Sequence, residues 1–525
     1  MPTNIVSPIN VNNLLTALTH HPDKKLVQYL INGFQFGFDI GFSGHITHSL
    51  PKNLLSARNN PEAVNNALTS EIERGHTSGP FTVSPFNTLH CSPLGAVPKK
   101  DGTHRIILDL SSPRNNSVNM GIDHDEFSVK YTPFDEAVDL IRNLGLNCEM
   151  GKMDVKHAFR LCPVRPQDWP LLGMCWNNYF YIDTRLPFGS RSSPFIFNTF
   201  ADALTWILIN FCAIPYILHY LDDFFLAHTH NLKTHMNTME SVFKWLGVPL
   251  ATDKAEGPTT KITYLGIDIN SSNFTISLPS DKLSDLKSIL TSWSTRHSCT
   301  KRELLSLIGK LSFAAKVVKP GRMFLRRLIH LSTSVNRLHY HIHFNKQARL
   351  DIIWWHHFIS SWNGISIIQD QYVDAEQINL FTDASNLGFG AVFGNFWFSK
   401  AWPPEFKSHH INVKELFAIV AAIFTWGHRL HNKQIILYTD NLSICAVWKS
   451  TSSKDSDLMF YIRHLFFFCA NRNINLLVKH IPGHDNVYAD LLSRLQVQQF
   501  HQLLPSAHQL PCNINPTIWN LSSDI

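Results

Sequence analysis

The sequence lacks a hydrophobic run long enough to cross a membrane, and it lacks a secretory signal. Its best membrane candidate, Ala203 to Leu218, is short and is interrupted by Asn210 and Pro215, whereas a span needs about 20 apolar residues. The first residues show neither the basic region nor the apolar region of a signal peptide. We therefore expect a soluble protein without a membrane partner, located in the cytoplasm, the nucleus or both, and not secreted.

Paired cysteines are also missing. The 9 Cys are scattered from Cys91 to Cys512 without a CxxC pair, which argues against a zinc ribbon and against a disulfide framework. Histidine is abundant at 29 residues, and His339, His341 and His343 alternate. We interpret this alternation as a polar strand edge. A metal site is the alternative, although no partner cluster accompanies the three histidines.

Net charge is low but unevenly distributed. Between Asp281 and Leu350 there are 14 Lys and Arg against 3 Asp and Glu, so this segment carries +11 while the whole chain carries +6. The remaining residues therefore sum to −5. A basic middle segment between acidic ones is typical of a protein that binds a polyanion. A solvated basic face is the alternative.

Periodicity predicts an α+β pattern in the first half of the chain. The opening 80 or so residues are polar and weakly helical, with one helix expected at Pro61 to Glu73. Ser92 to Lys100 and Arg105 to Leu110 flank an Asp101-Gly102 turn, which indicates a hairpin. From Tyr131 to Gly266 short apolar strands alternate with helical stretches.

The second half begins with a helical pattern and continues as an α/β pattern. Thr300 and Glu303 form a capping box at the start of a predicted helix. Pro320-Gly321 is expected to end that helix. We expect nothing but linker or fraying chain beyond Val497. The other expected elements are a helical face at Leu283, Leu286, Ile289, Leu290 and Trp293, strands at Asn379 to Thr382 and Gln434 to Thr439, and helices at Val413 to Trp426 and Tyr488 to Leu495.

Two acidic motifs in the first half suggest a cation site. Asp222 and Asp223, in Tyr220-Leu-Asp-Asp223, lie between apolar strand-like runs, so a hairpin tip is a better place for them than a buried strand. An ordinary acidic turn is the alternative. Asp154 ends another apolar stretch. Phosphoryl transfer to a 3′-hydroxyl needs two cations, and carboxylates from two strands hold hard Mg²⁺ well.

The motifs from Pro80 to Gly266 resemble the palm of a reverse transcriptase. They occur in the expected order: Asp154 with Phe159, Leu186-Pro-Phe-Gly189, Tyr220-Leu-Asp-Asp223, Lys254 and Tyr264-Leu-Gly266. His157 departs from the small or acidic residue that is common in the family at its position.

The resemblance implies a role for each matching residue. Asp154, Asp222 and Asp223 would bind metal, Phe159 would exclude a ribose 2′-hydroxyl, and Gly189 would let the backbone approach the nucleotide or template. The remaining roles fall to basic and turn residues: Lys99 and Arg105 would hold the triphosphate, Lys254 would protonate pyrophosphate, and Tyr264 with Gly266 would grip the primer.

Four acids in the second half suggest another cation site. Asp383 and Asp440 each follow an apolar strand, where open α/β sheets place ligand groups. Glu415 lies on the apolar face of a predicted helix, so its carboxylate needs a partner. Asn412 offers an alternative, a capping box with Glu415. Asp490 could favour a helix N-terminus through the dipole.

The segment from Ile378 to Leu495 resembles a retroelement ribonuclease H. The matching motifs are Phe381-Thr-Asp-Ala-Ser385, Lys414-Glu-Leu416, Tyr438-Thr-Asp-Asn441, His480-Ile-Pro-Gly-His484 and Ala489-Asp490. The resemblance implies that the four acids hold two Mg²⁺ ions and that the RNA strand of an RNA–DNA hybrid is hydrolysed. His484 would assist product release or proton transfer.

Together the resemblances imply an α+β right-hand polymerase with fingers, palm and thumb, followed by an α/β ribonuclease H-like domain. The expected segments are an N-terminal helical and polar extension (1–79), fingers and palm (80–275), a basic helical thumb and connection (276–377), ribonuclease H (378–497) and a tail (498–525).

The implied activity is an RNA-directed DNA polymerase with ribonuclease H activity. Its partners would be an RNA template, a DNA primer, an RNA–DNA hybrid and dNTPs, and its cofactors two Mg²⁺ ions per active site, with Mn²⁺ as a substitute. A decayed or domesticated remnant that only binds nucleic acid, or that retains only ribonuclease H activity, is the alternative.

The fused order resembles Gypsy-like and DIRS-like (tyrosine-recombinase) retrotransposons. The surroundings of Leu186 to Ser190 and Asn363-Gly364 favour the DIRS-like group. No protease signature is visible and no integrase or recombinase follows Leu495. Such an activity would then come from a separate chain, or this chain is a fragment.

Overall fold

The computed structural model describes residues 5–99, 102–361, 365–367, 372–373, 380–431, 433–450, 453, 455–472 and 474–521. The predicted features at Asp101, Asn363-Gly364 and Asn379 lie outside these residues. The chain divides into two compact units, Met1–Ile262 and Thr263–Ile525. Within the described ranges, no helix combines the length and the apolar character that crossing a membrane requires. The division into five segments stays a prediction.

The first unit mixes helices with short strands. Its helices are α1 (Val11–Ala17), α2 (Lys24–Phe36), α3 (Leu55–Arg58), α4 (Pro61–Glu73), α5 (Phe134–Leu144), α6 (Ser193–Asn210) and α7 (Leu232–Leu246). Its strands are β1 (Thr77–Phe81), β2 (Leu94–Pro98), β3 (His104–Leu108), β4 (Glu149–Asp154), β5 (Gly173–Trp176), β6 (Tyr179–Asp183), β7 (Ile217–Tyr220), β8 (Asp223–His228) and β9 (Glu256–Thr259).

Three sheets organise this unit. A four-stranded sheet has the order β7-β8-β4-β9, a three-stranded sheet has the order β1-β6-β5, and β2 pairs with β3. The β2–β3 pair is the predicted hairpin, with Val97 opposite Arg105. Phe224, Phe225 and Leu226 on β8 are fully buried, so the central sheet is anchored in the apolar core.

The N-terminal segment is more structured than its polar composition predicts. The expected helix is present as α4, and α1, α2 and α3 precede it. In α2, Asp23 caps the first turn, and the buried Val27, Leu30, Ile31 and Phe34 follow the spacing of one helical face. These side chains belong to the same buried cluster as the residues of α6. The segment therefore forms part of the core of the first unit.

The second unit contains the basic segment and a larger sheet. Its helices are α8 (Ser280–Ser294), α9 (Lys301–Ala314), α10 (Arg326–Ser332), α11 (Lys346–Ser361), α12 (Ile411–Leu430), α13 (Leu442–Ser450), α14 (Ser456–Asn471), α15 (Val487–Ser493) and α16 (Val497–Leu503). Its strands are β10 (Lys261–Tyr264, which crosses the division), β11 (Ile267–Asn270), β12 (Thr275–Ser277), β13 (Ser298–Thr300), β14 (His341–His343), β15 (Ile365–Ile367), β16 (Tyr372–Val373), β17 (Phe381–Ala384), β18 (Gly388–Phe393), β19 (Phe396–Ala401), β20 (Gln434–Thr439) and β21 (Asn475–His480).

The basic segment is helical, as predicted. The Thr300–Glu303 capping box is present in both directions, so two backbone N–H groups that have no partner within the helix are satisfied. Helix α9 ends at Ala314, before the expected stop at Pro320, and a 3₁₀ helix spans Lys319–Leu325. Strand β14 pairs with β13 and exposes two of the alternating histidines, which confirms the polar strand edge.

The larger sheet combines antiparallel and parallel strands. β17, β18 and β19 are antiparallel neighbours, whereas β17, β20 and β21 are parallel neighbours. Strand β20 matches its predicted bounds, and the predicted helix at Val413 to Trp426 is α12, extended at both ends. Residues Val413 to Phe424 are buried on every face, as expected of a helix that packs inside a domain.

The expectation of a linker or fraying chain beyond Val497 is wrong. Helix α16 places Phe500, which is fully buried, against Trp397 of β19 at a ring distance of 5.4 Å. The Cys512 N–H then donates to the Trp397 carbonyl at 2.7 Å, and Trp519 packs on Phe417 of α12 at 5.0 Å. The tail thereby supplies a partner for the exposed polar groups of an edge strand.

Candidate active sites

A tight hairpin presents the first acidic pair. Tyr220 of β7 is the register partner of Asp223 of β8, so Leu221 and Asp222 form a two-residue turn. Leu221 has φ +54°, and a positive φ at the first turn position is typical of a type II′ hairpin. A non-glycine residue there stores about 1–3 kcal/mol of strain. The buried β8 side chains hold the turn in place.

Asp154 meets this hairpin from the neighbouring strand. It is the register partner of Asp223 across β4 and β8, which places the two Cα atoms about 4.5–5.5 Å apart. The Val155 N–H donates to the Asp222 carbonyl at 3.0 Å. The structure therefore brings together Asp154, Asp222 and Asp223, which the sequence motifs single out separately.

Burial and the neighbouring carboxylates raise the pKa values of Asp222 and Asp223. Burial, followed by the charges of Asp154 and Asp223, raises the pKa of Asp222 to about 6. Burial and Asp154 also raise the pKa of Asp223. Mutual repulsion in a poorly solvated cluster is relieved by a cation. This donor set of carboxylate oxygens is the one that Mg²⁺ prefers.

Lys254 lies directly on this cluster. Its Nζ donates to Asp154 Oδ2 at 2.9 Å, and this contact raises the pKa of Lys254. A raised pKa keeps the proton on Nζ, so proton donation would require Asp154 to be engaged elsewhere.

Phe159 lies among aromatic rings, whereas Gly189 lies close to the backbone of β3. Phe159 is half-buried, with its ring 5.2 Å from that of Phe188 and 5.7 Å from that of Phe197. Gly189 has φ +109°, and a Cβ there would lie 2.6 Å from the Leu108 carbonyl oxygen. The glycine is therefore required by close packing against β3, whatever it does for a nucleotide.

Asn119 was missed by sequence reasoning. Its side-chain amide donates to the Gly189 carbonyl at 2.9 Å, and its Oδ1 accepts from the Arg191 N–H at 2.8 Å. It is buried and holds both sides of the Gly189 loop. Because it lies in a polar stretch without periodicity, no local signal separates it from a solvated loop residue.

Gly189→Ala is expected to destabilise the first unit by about 2–3 kcal/mol, because the methyl group adds a collision to backbone strain. Gly145→Ala is the control, since Gly145 has φ +88° with no atom within 4 Å of an added Cβ; about 1 kcal/mol is expected there. Denaturant unfolding measures both. Equal losses would show that contact with Leu108 contributes nothing.

The other predicted nucleotide and primer residues lie at turns. Lys99 and Arg105 are exposed on the β2–β3 hairpin, where side chains can reach a ligand. Tyr264 is buried, and Gly266 has φ +77°. The Gly266 carbonyl accepts from Lys282 Nζ at 3.0 Å. Tyr264 and Gly266 belong to the second unit.

Three of the four acids in the second unit converge. Asp383 lies in β17, Asp440 directly follows the parallel neighbour β20, and Glu415 lies on α12. One carboxylate oxygen from each lies within 4.8 Å of the other two. Parallel strands end at the same sheet edge, and α12 brings Glu415 to the two aspartates there, so the fold creates a compact set of carboxylate oxygens.

Burial and repulsion from neighbouring carboxylates also raise the pKa values of these three carboxylates. Burial raises the pKa of Glu415 well above its usual range, and Asp383 and Asp440 add to the effect. Burial and Asp440 likewise raise the pKa of Asp383 to about 6. The Glu415 Oε2 atom is buried and makes no hydrogen bond with the described residues. A divalent cation fits this all-oxygen set and would satisfy that atom.

The capping-box alternative for Glu415 is wrong. Helix α12 begins at Ile411 with His410 as its N-cap, and the His410 side chain accepts from the Asn412 N–H. Asn412 instead accepts a hydrogen bond from Asn441 at 3.0 Å. Since Glu415 is not needed to cap the helix, its burial among carboxylates supports a ligand role.

Asp490 and His484 lie at the margin of the trio. Asp490, in the first turn of α15, accepts from Arg494 Nε at 2.8 Å, and its charge helps to raise the pKa of Asp440. The His484 side chain is 81% exposed and lies 3.5 Å from Asp485. Neither belongs to the close set of ligand oxygens, and the exposed imidazole leaves His484 open to a ligand.

Asn486 was also missed by sequence reasoning. It is buried, and its side-chain amide donates to the Thr382 carbonyl at 3.1 Å. In the same loop, a Cβ on Gly483 would lie 3.2 Å from Asp440 Oδ2. Asn486 therefore fastens the His484 loop beside the trio. The loop before α15 has no regular sequence pattern that would predict the contact of Asn486 with Thr382.

Two family matches cover these sites. Residues 97–269 match the family described as reverse transcriptase (RNA-dependent DNA polymerase). Residues 374–466 match the family described as RNase H-like domain found in reverse transcriptase. Asp154, Asp222 and Asp223 fall in the first range, and Asp383, Glu415 and Asp440 in the second. Asp490 and His484 follow it.

Curated retrotransposon polyproteins align with most of this chain. The Transposon Tf2-3 polyprotein of Schizosaccharomyces pombe is 22% identical over 453 residues, which is 82% of this chain and 30% of that protein. The retrovirus-related Pol polyprotein from transposon opus of Drosophila melanogaster is 23% identical over 533 residues, or 93% of this chain and 49% of that protein. The chain thus spans about a third to a half of these polyproteins.

A solved structure has a similar fold. The foamy viral protease-reverse transcriptase in complex with double-stranded DNA aligns over 91% of this chain and 83% of its own, with a TM-score of 0.50 and 15% identity. At this identity the likeness concerns the fold alone. With the two family matches, it confirms the predicted fold class, a polymerase fold followed by an RNase H-like domain.

Proposed function

Because this chain joins a reverse transcriptase domain to a ribonuclease H-like domain and is homologous to the Tf2 and opus retrotransposon polyproteins, we propose that it copies retroelement RNA into DNA and hydrolyses the RNA strand of the hybrid. The observation that carries the proposal is the β4–β8 register, which places Asp154 opposite Asp223. Carboxylates on two adjacent strands form the kind of site that phosphoryl transfer to a 3′-hydroxyl requires.

The two carboxylate clusters would hold the divalent cations. Asp154, Asp222 and Asp223 would serve the polymerase, and Asp383, Glu415 and Asp440, with Asp490 at the margin, would serve the nuclease. We propose two Mg²⁺ ions per site, with Mn²⁺ as a substitute. Bound cations supply nucleophile activation and neutralisation of charge on the leaving oxygen.

The other polymerase residues would bind and orient the substrates. Lys99 and Arg105, exposed on the hairpin, would attract the triphosphate, Lys as a point charge and Arg as a fork. Lys254 holds a proton at Nζ beside Asp154, where it would protonate departing pyrophosphate. Tyr264 and Gly266 would contact the primer, and the Gly189 loop would lie against the nucleotide or template.

Phe159→Ala is expected to admit ribonucleotides, because removing the ring opens space for a 2′-hydroxyl, the group that distinguishes ribose from deoxyribose. The ratio of rNTP to dNTP incorporation should rise about 10- to 100-fold, the range that one steric contact supports. Single-nucleotide extension of a primed RNA measures the ratio. Phe197→Leu, a change in the supporting ring, is the control, and an unchanged ratio in Phe159→Ala would remove Phe159 from this role.

Direct assays separate this proposal from a protein that only binds nucleic acid. Purified chain is expected to extend a DNA primer on an RNA template with dNTPs when Mg²⁺ is present, and to cleave RNA within an RNA–DNA hybrid. Soluble, folded protein that binds the hybrid but does neither would be a decayed or domesticated remnant. Cleavage without extension would leave ribonuclease H as its one activity.

The element type stays a proposal. The predicted relation to Gypsy-like or, by its motif surroundings, DIRS-like retrotransposons can be tested by the coding sequence next to this one. A tyrosine recombinase would support the DIRS-like group, and an integrase would support the Gypsy-like group. Either protein would act on the DNA product made by this chain.

A further inference from the structure

Arg185 is a buried cation in the first unit. Only 5% of the surface of Arg185 is exposed to solvent. The Nε and Nη1 atoms are buried and make no hydrogen bond with the described residues. No carboxylate of the described residues lies within ion-pair distance of its guanidinium. An uncompensated buried charge is strongly unfavourable, so this arrangement calls for a counter-ion.

The nearby carboxylates are engaged by other cations. Asp183 accepts from Arg160 Nη1 at 2.8 Å, and Glu71 accepts from Arg160 Nη2 at 2.6 Å. Glu71 also contacts Arg74 at 3.3 Å. Asp183 and Glu71 are therefore paired with Arg160 and Arg74, and neither forms an ion pair with Arg185. Burial, together with the charge of Arg160, lowers the pKa of Arg185 to about 10.

A cavity lies beside Arg185. It has a volume of about 440 Å³ and is lined by both Arg185 and Arg74. Ser78 adds a hydroxyl group to the lining, and Ile72 and Trp169 add apolar walls. The volume is at the lower end of the range of small-molecule sites, which combine apolar walls with a few polar groups.

We propose that this cavity is a binding site for a small oxyanion, with Arg185 as its principal ligand. Phosphate and carboxylate share the chemistry that a guanidinium recognises, since either can accept two parallel N–H donors. Arg74 supplies a second positive charge at the wall. The site is distinct from both carboxylate clusters, which attract cations.

Occupancy of the site would act on a segment that the polymerase uses. Arg185 directly precedes Leu186, whose N–H donates to the Cys162 carbonyl at 3.0 Å, and Gly189 follows three residues later. Asp183, on the other side, joins Arg160, the neighbour of Phe159. A bound anion therefore ties together the two stretches that flank the nucleotide residues.

Calorimetric titration of the full-length chain, in a chelator and without nucleic acid, tests the proposal with two probes, inorganic phosphate and acetate. We expect saturable binding of at least one probe at one site per chain. A phosphate-selective site would prefer the first probe and a carboxylate site the second. Absence of saturable binding of both would overturn the proposal.

Variants locate the site. Arg185→Met should weaken binding about 10- to 100-fold, the effect of losing charged hydrogen bonds, while Arg185→Lys retains charge without the fork and should lose less. Arg142→Gln, on the α5 surface beside Asp139, is the matched control and should bind as the wild type. Unchanged affinity in Arg185→Met would exclude this cavity.

If Arg185→Met does not fold, a second variant tests the same site. Arg74 is partly exposed and lies on the cavity wall, so Arg74→Gln should fold and bind the same probe about 10-fold more weakly. In the wild type, saturating probe should raise the melting temperature by about 5 °C. An equal rise in Arg74→Gln and in the wild type would contradict the proposal.

Discussion

Asp222→Asn is expected to lower DNA synthesis by about a thousandfold or more. A cation held by this carboxylate would contribute several kcal/mol to the transition state, and each 1.4 kcal/mol changes the rate about tenfold. Primer extension with dNTPs on an RNA template measures the loss. Binding of the RNA–DNA hybrid and its cleavage should persist, because the nuclease cluster lies in the other unit.

Asp139→Asn is the matched control for this change. Asp139 lies on α5 of the same unit, is largely exposed and pairs with Arg142, so its neutralisation should leave synthesis unchanged. Synthesis by Asp222→Asn at the wild-type rate would remove Asp222 from the metal site. Loss in both variants would indicate a general fault in the protein and not a lost ligand.

The same substitution should stabilise the cation-free protein. The pKa of Asp222 is raised to about 6 in the folded state, against about 3.9 in an unfolded chain. The folded state therefore binds more protons between these values, and stability falls as pH rises from about 4 to about 6. In a chelator at neutral pH, Asp222→Asn should melt at a higher temperature than the wild type. Added Mg²⁺ should stabilise the wild type more than the variant, because the variant keeps only the nuclease cluster intact.

Asp440→Asn is expected to abolish RNA cleavage, again by about a thousandfold, and to leave primer extension intact. One carboxylate oxygen of Asp440 lies within 4.8 Å of carboxylate oxygens of Asp383 and Glu415. Replacing this carboxylate by a neutral amide therefore removes one of the proposed metal ligands. Cleavage of the RNA strand in a labelled hybrid measures the loss. Glu415→Gln should have the same effect, because its buried Oε2 depends on a ligand.

Asp457→Asn is the control in the nuclease unit. Asp457 lies in the first turn of α14, where its side chain is about half exposed, and it should retain cleavage. If Asp440→Asn cleaved the hybrid normally, the trio would not be the nuclease centre. If it also lost primer extension, the two activities would not be separable as proposed.

Local sequence order was enough to single out most of the acids of the two carboxylate clusters. Apolar runs that end in an acid indicated where Asp154, Asp222, Asp383 and Asp440 leave their strands. The capping box at Thr300 was equally visible, because its partners are three residues apart and their hydrogen bonds form within one turn. Such signals depend on neighbours along the chain, so they survive without knowledge of the fold.

Contacts between distant segments were not predictable in this way. The tail beyond Val497 has little periodicity, yet it packs on β19 and α12 because those elements offer an open edge and an apolar surface. The capping residue of α12 proved to be His410, a choice that depends on how the preceding chain approaches the helix. Asn119 and Asn486 likewise acquire their roles only from the loops that they join.

By itself, the amino-acid sequence determined which residues carry negative charge at strand ends, and hence that two groups of acids were available for cations. Only the tertiary structure decided that Asp154 faces Asp223, that Glu415 approaches Asp383, and that no carboxylate of the described residues forms an ion pair with Arg185. The physical reason is that strand register and helix packing are set by burial over the whole core, whereas the identity of a charged group is local.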